Sequence, residues 1–364
     1  MRNRAIILFL LTIFSFNARA TDFVRFGNLD RQEFSPIRGE TFKIPVVLDK
    51  QADVKLKLYS VDGQLTKTID SDKQLDKGSH HIVWDGKDDD GLLVPDEAWV
   101  PVISALADAE TLEIDPRTNS GGETIQKVLI EYNDHHSHSY QLPAAARVSI
   151  RAGIHGGPLL NVLSDWEPHT AGRNIVYWDG FDKNKIINLR KNDKQKLVAT
   201  AFKLPEYSII TTGNLDMDYG QYFNKKNWQH KPVNMADIQL QRNKQPVSHQ
   251  YYMPYHMNKS PDVQVELLGN FQQSDDGIPQ IDGFVDIRVS MDEASQQAMQ
   301  GSRYEIGFFI NNSFISEEEQ GYVPLIWRWK PNNLSPGKHV LTVNVSSFRG
   351  QVGVSSLEFT IPEK

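Results

Sequence analysis

Four groups of residues in this 364-residue chain have types and spacings that could do chemistry. The loop DGKDDDGLLVPDE, residues 85–97, is a candidate calcium site: with Gly91 at the glycine position of an EF-hand loop, Asp88, Asp90 and Glu97 fall at its third, fifth and twelfth positions. The first position is then Gly86, which has no ligand oxygen, and strands rather than helices flank the loop. An ordinary polar turn explains the same residues, since Asp and Gly crowd turns for backbone reasons. In NDHHSHSY, His135, His136 and His138 offer imidazoles beside Asp134 to zinc or copper. On a strand His136 and His138 share a face while His135 points away, so a solvated loop between domains is the plainer reading. SHQYYMPYHM combines His249, Met253, His256 and Met257, a thioether and imidazole set suited to copper, or equally to packing at a domain boundary. Finally, Trp327 and Trp329 lie two apart on an expected strand and so on one face. Exposed, they would stack on a glycan; buried, they are core, which is the preferred reading.

Catalysis finds no comparable pattern. Asp282, Asp286, Glu305 and Glu317 to Glu319 are carboxylates, but a glycosidase pair is defined by separation in space. There is no nucleophile elbow, no His-Glu-x-x-His and no phosphate-cradling glycine loop. The chain has no cysteine, which excludes disulfides, thiolate metal sites, cysteine nucleophiles and a lipid anchor on cysteine. No catalytic residue and no cofactor are expected beyond a metal ion at the histidine groups.

Residues 1–20 read as a secretory signal peptide: Arg2 and Arg4, an apolar run from Ala5 to Phe16, and Ala18-x-Ala20 before cleavage. The run is shorter than the roughly 20 residues of a spanning helix, and no later stretch approaches that length, so no membrane span is expected after cleavage. Formal net charge is −7, and falls to −10 without the three arginines of the leader. Such a surface repels phosphate backbones, which argues against nucleic acid. A periplasmic or secreted, cell-surface location follows.

The elements that position these residues are legible as strands. Trp84-Asp85-Gly86 recurs as Trp178-Asp179-Gly180, and the same offset of 94 residues pairs Gly78 with Gly172 and Asp88 with Asp182 without a gap. Upstream, Val54, Leu56, Gly63, Leu65 and Ile69 fall opposite Val148, Ile150, Gly157, Leu159 and Leu163. A repeat of that length suits one small sandwich rather than a solenoid unit. Each copy reads as a strand pair around a tight turn, at Asp62-Gly63 and at Gly156-Gly157, then a strand running into the tryptophan. The indole gives a small core a large apolar side chain, the aspartate bonds to backbone N–H groups ahead, and the glycine permits positive φ. These six residues are therefore read as structural.

The segment LYSVDGQLTKTI…LDKGSHHIVWDGKDDDGLLVPDEAWV resembles the immunoglobulin-like domain of bacterial flagellar hook-capping proteins, which also occurs in exported multidomain proteins. The first copy matches over residues 40 to 105. The second keeps Trp178, Asp179, Gly180 and Asp182 but has KNKIINLRKND where that family has Gly and Val-Pro, and together the two copies span about 35–210. The resemblance implies β-sandwiches used as spacer or adhesion modules.

Beyond residue 210 no family is recognised. Residues 211–262 are polar, without a sustained apolar period, and are read as an extended linker with one short helix. From Val263 six strands are expected, with SMDEASQQAMQG as a short helix capped by Ser290 and closed by Gly301. The expected fold is all-β, tandem immunoglobulin-like sandwiches over 21–115, 116–210 and 263–364. The expected function is a non-enzymatic scaffold, adhesion or assembly subunit that binds a protein partner or joins a cell-surface assembly. Two alternatives stand beside it: a carbohydrate-binding or carbohydrate-active protein with its site in the third domain, and a periplasmic copper or zinc binding protein.

Overall fold

The computed structural model describes residues 22–71, 74–133 and 136–363; the leader expected at residues 1–20 lies outside them. The described chain is mostly β, with two α-helices, Tyr219–Lys225 and Glu293–Met299.

In the first sandwich, alternation decides which face of each strand is buried. Phe42, Ile44, Val46 and Leu48 point inward from strand Phe42–Leu48, and Val54, Leu56 and Leu58 from Asp53–Tyr59, while Lys55 and Lys57 turn outward. Seven strands follow in order, Val24–Phe26, Phe42–Leu48, Asp53–Tyr59, Leu65–Asp70, Gly78–Trp84, Ala98–Ala107 and Glu110–Ile114. The first, second and fifth form one sheet; the fourth, third, sixth and seventh form the other, in that order. Gly63, at φ +73, closes the hairpin expected at Asp62-Gly63.

The third sandwich repeats this order with Val263–Leu268, Val285–Met291, Tyr304–Ile310, Ser313–Glu318, Leu325–Trp329, Gly337–Ser347 and Val352–Ile361. It has seven strands where six were expected. RYEIGFFINN does not run on as one strand: Asn311 and Asn312, at φ +49 and +68, form a two-residue turn into Ser313–Glu318. Helix Glu293–Met299 is capped by Asp292, whose carboxylate accepts from the Ser295 N–H, and not by Ser290, which belongs to the preceding strand.

The second sandwich has the same order in Ile130–Tyr132, Ser137–Leu142, Ala146–Ile154, Leu159–His169, Gly172–Tyr177 and Gln195–Lys203. Its seventh place is filled from upstream, by Thr124–Ile125 against Gln195–Lys203. The chain is thereby free to leave and return to the first sandwich. Ile209–Thr211 pairs antiparallel with the start of Ala98–Ala107 and parallel with Glu33–Phe34.

Residues 211–262 are not an extended linker in this structure. Helix Tyr219–Lys225 buries Tyr219, Tyr222 and Phe223 in the core of the first sandwich, beside Trp84 and Trp99. Asp218 and Gln221 form a reciprocal capping box at its start. Further on, the Asp62 turn accepts the Tyr255 N–H at 2.7 Å and His256 Nδ1 at 2.5 Å. Asp165 of the second sandwich accepts Ser260 N–H and Oγ–H, and Gln351 of the third donates to the Met257 and Lys259 carbonyls. The second and third sandwiches also meet directly, where the Asn344 amide both accepts from Leu159 N–H and donates to the Leu159 carbonyl, each at 2.8 Å.

Candidate partner-binding cavity between the first two sandwiches

The two repeated corners are built alike. The Trp84 and Trp178 indoles are buried and donate Nε1–H to the carbonyls of Lys87 and Phe181, three residues on in each case. Asp85 and Asp179 accept the N–H two residues ahead. Gly86 and Gly180 lie at φ +74 and +83, and a Cβ there would collide with Pro36 and Arg190 respectively. Asp88 and Asp182 are fully buried, and each folds its loop by accepting two backbone N–H groups at one oxygen.

The corners differ at the other oxygen. Asp88 Oδ2 accepts Tyr222 Oη–H and Lys226 Nζ–H, both at 2.9 Å, from the helix that returns to the first sandwich. Burial alone would push the Asp88 carboxyl up, but Lys226, the Leu92 N–H and the Tyr222 hydroxyl together hold it below the usual aspartate range. Asp182 Oδ2 has no partner among the described residues. The loop read as a calcium candidate is thus committed elsewhere. Asp88 and Asp90 hold Lys226, and Glu97 pairs with Arg147.

Glu97 and Arg147 join the first sandwich to the second in the one buried Arg–carboxylate pair among the described residues. Arg147 also donates to the Trp166 carbonyl at 2.9 Å and lies 3.8 Å from the centre of the Tyr255 ring. Burial pushes the Glu97 carboxyl up against the pull of Arg147, and Glu97 Oε2 is left without a partner. On the Glu97 side of this pair lies a cavity of about 490 Å³, walled by both sandwiches and by the returning segment.

A β-bulge shapes its second wall. Val148 pairs with Glu167 and Ser149 with Asp165, which leaves Trp166 as the extra residue, at φ +59. The Trp166 ring packs on Phe202, while Asp165 and Glu167 both line the cavity. Burial raises the Asp165 carboxyl, opposed by Ser260. Glu167 is raised by desolvation in the crowded cavity wall and by repulsion from Asp165 and Asp96, an effect tempered by the 58% of its side chain that stays in solvent. His169 is pulled down by burial. Asp218 is the exception: burial would raise it, but the Gln221 N–H and Lys259 bring it low. Five carboxylates line the space, Asp96, Glu97, Asp165, Glu167 and Asp218, against the single ammonium of Lys259. Ile210, Leu215, Met217 and Tyr219 supply apolar wall.

Of the residues singled out in the sequence, Glu97 and His256 line the cavity, each already paired, and the rest lie elsewhere or apart. His135 falls outside the described residues. His136 is exposed and bonded to Arg190. His138 is buried between the Tyr132 and Trp178 rings, its pKa lowered by burial. His249 is exposed and bonded to Gln250, Met253 lies in a separate cleft, and His256 pairs with Asp62 and stacks on Phe223 at 3.8 Å. Among the described residues no three His, Asp or Glu side chains gather as a metal ion would need. Trp327 and Trp329 do share a face, and it points inward. They stack on one another at 5.8 Å, with Phe308 over the first and Phe359 against the second, and both are partly buried in the third core. The cavity has no sequence signature, because its walls come from segments as far apart as Asp96 and Lys259; the nearest signal is the acidic pair Asp165 and Glu167 flanking Trp166.

No helix among the described residues is long and apolar enough to cross a membrane. No curated protein matches the chain. Among solved structures, trypsin-activated alpha-2-macroglobulin from Escherichia coli aligns at 12% identity and a TM-score of 0.21, over 94% of this chain and 23% of that one. A 1.5-MDa bacterial ice-binding adhesin, in a structure concerned with its retention at the host cell surface, aligns at 11% identity and TM-score 0.18, over 92% of this chain and 95% of that one. A tetra-tandem repeat from the extending region of a large adhesion protein aligns at 10% and 0.20, over 94% and 74%. Likeness at this level extends neither to activity nor to partner. Residues 33–99, the heart of the first sandwich with its Trp84 corner, match the FlgD Ig-like domain.

Proposed function

We propose that this protein is an exported, non-enzymatic scaffold that presents three immunoglobulin-like sandwiches in one fixed arrangement to a protein partner in the periplasm or at the cell surface. The observation that carries the reading is the returning segment. Residues 209–262 touch the first sandwich through buried aromatic rings, the first and second through hydrogen bonds to carboxylates, and the third through amide-to-carbonyl hydrogen bonds, so the units do not hang as beads on a linker. Its polar groups are spent on these joints rather than on a reaction centre. The second sandwich is read as a further copy of the same immunoglobulin-like domain, supported by its equivalent corner and strand order.

In-cell photo-crosslinking from exposed Leu215 and from exposed Phe314 in the third sandwich, combined with cell fractionation, tests this reading. One defined protein adduct in the periplasmic or extracellular fraction is expected. Retention of the chain in the cytoplasm, or turnover of glycan or peptide substrates by the purified protein, would overturn it.

A further inference from the structure

We propose that the second sandwich carries, beside its Trp178 corner, a binding site for a carboxylated sugar, a hexuronate. The first copy shows what this place in the fold holds when it is only core. There Ile44, opposite Ile82, and Phe42, opposite Trp84, are buried, and Phe34 packs on both Phe42 and Trp84. At the repeat offset of 94 residues, His138 stands opposite Val176 in the place of Ile44, and His136, whose carbonyl accepts the Trp178 N–H, takes the place of Phe42. A cavity of about 400 Å³ lies where the first copy is sealed, with Trp178 and both histidines in its wall. His138 is the telling residue: it is buried, and neither ring nitrogen has a hydrogen-bond partner among the described residues. An aliphatic side chain would fill the position without that desolvation cost, which a ligand in the cavity offsets.

The surrounding groups select an anion that also bears hydroxyls. Arg190 bonds to His136 and, at 3.4 Å, to the Trp178 carbonyl, and among the described residues no carboxylate pairs with it or lines the cavity. Its stem lies over Gly180, where a Cβ would collide with it, so the corner itself seats the guanidinium. Such a planar fork matches a carboxylate. Burial, with the charges of Arg190 and His136 behind it, lowers the His138 pKa and keeps the ring neutral, with one N–H donor and one acceptor nitrogen. The amides of Asn133 and Gln195 in the same wall pair a donor with an acceptor as well. That set suits hydroxyls, which both give and accept, better than sulfate, which only accepts. Exposed Tyr132 adds a ring face for a pyranose. A metal ion is a poorer fit, since no three His, Asp or Glu side chains gather among the described residues.

Calorimetric titration of the purified full chain with galacturonate, glucuronate and tri-galacturonate tests the site, with glucose and inorganic sulfate as controls. Saturable binding of at least one uronate is expected, and none of glucose. Arg190→Gln, at an exposed position, should weaken the uronate about tenfold or more, from loss of its charged hydrogen bonds. His138→Ile restores the first copy's residue type, so it should abolish binding while melting no lower than the parent; a histidine that served only the core would leave binding intact. Arg328→Gln, on the third sandwich, should leave the affinity unchanged. Preference for tri-galacturonate points to a polysaccharide source, and equal binding of the monomers to a free sugar acid. No uronate binding, glucose or sulfate bound as tightly, or affinity indifferent to both Arg190→Gln and His138→Ile would overturn the site. The site goes beyond the scaffold reading, and failure to crosslink a protein partner would leave it standing.

Discussion

Replacing Lys226 with methionine probes how the returning helix is fastened. Its ammonium is one of four donors to the Asp88 carboxylate, with the N–H groups of Asp90 and Leu92 and the Tyr222 hydroxyl. Asp88 is fully buried and the Lys226 side chain is 16% exposed, so solvent screening is weak. Removing one partner of a buried pair costs about 3–5 kcal/mol when the remaining charge is abandoned. Here three donors remain, and a hydrogen bond to a charged group is worth about 1.5–3 kcal/mol. We therefore expect a loss of about 2–3 kcal/mol at neutral pH, measured by urea unfolding. The pH dependence gives the reasoning a second test. Asp88 has a lowered folded-state pKa, so its contribution is present above the unfolded aspartate value and disappears as pH falls through the folded one. The gap between parent and variant should narrow over that acid range. A variant as stable as the parent at neutral pH, or a gap that widens on acidification, would refute the assignment of Lys226 as a buried counter-charge.

Other outcomes follow from the same contacts. Trp84→Ala and Trp178→Ala should each cost about 3–5 kcal/mol in chemical denaturation, the range for deleting a large buried aromatic. Glu167→Gln should raise the melting temperature at neutral pH only slightly, because the folded state holds this carboxyl at a raised pKa but 58% of its side chain is in solvent, which screens the effect; the gain should fade as pH falls into the ordinary glutamate range, where the parent is also neutral. Asn344→Ala removes the amide that holds both polar groups of Leu159, so hydrogen exchange at the Leu159 N–H should lose its protection while the cores of both sandwiches keep theirs.

The strands of the first sandwich were legible because apolar alternation and turn chemistry agree. AWVPVISALA is a strand from end to end, and Asp62-Gly63 turns where expected. The Trp-Asp-Gly corner was legible because its indole N–H and its aspartate carboxylate bond to backbone only two or three residues ahead. What was not legible depends on distant partners. Tyr219, Tyr222 and Phe223 have helical spacing behind an Asp-x-x-Gln capping box, a sign of a helix with one apolar face, but the core that receives them was laid down over 100 positions earlier. Asn311-Asn312 is a turn signal submerged in a β-rich run. Trp327 and Trp329 show the limit of periodicity: it put both rings on one face, but whether that face looked to solvent or to Phe308 and Phe359 depended on the opposing sheet. The candidate cavity lies at the far end of this scale, since its lining joins the returning segment to the first and second sandwiches and no one of them encloses it.

Small-angle X-ray scattering of the intact chain in dilute solution tests the central claim most directly, that residues 209–262 weld three sandwiches into one body. The account predicts a profile reproduced by this single arrangement, with the scattering of a rigid particle that does not change with ionic strength. A profile that requires an ensemble of independently oriented domains, as a flexible 211–262 linker would give, would contradict it.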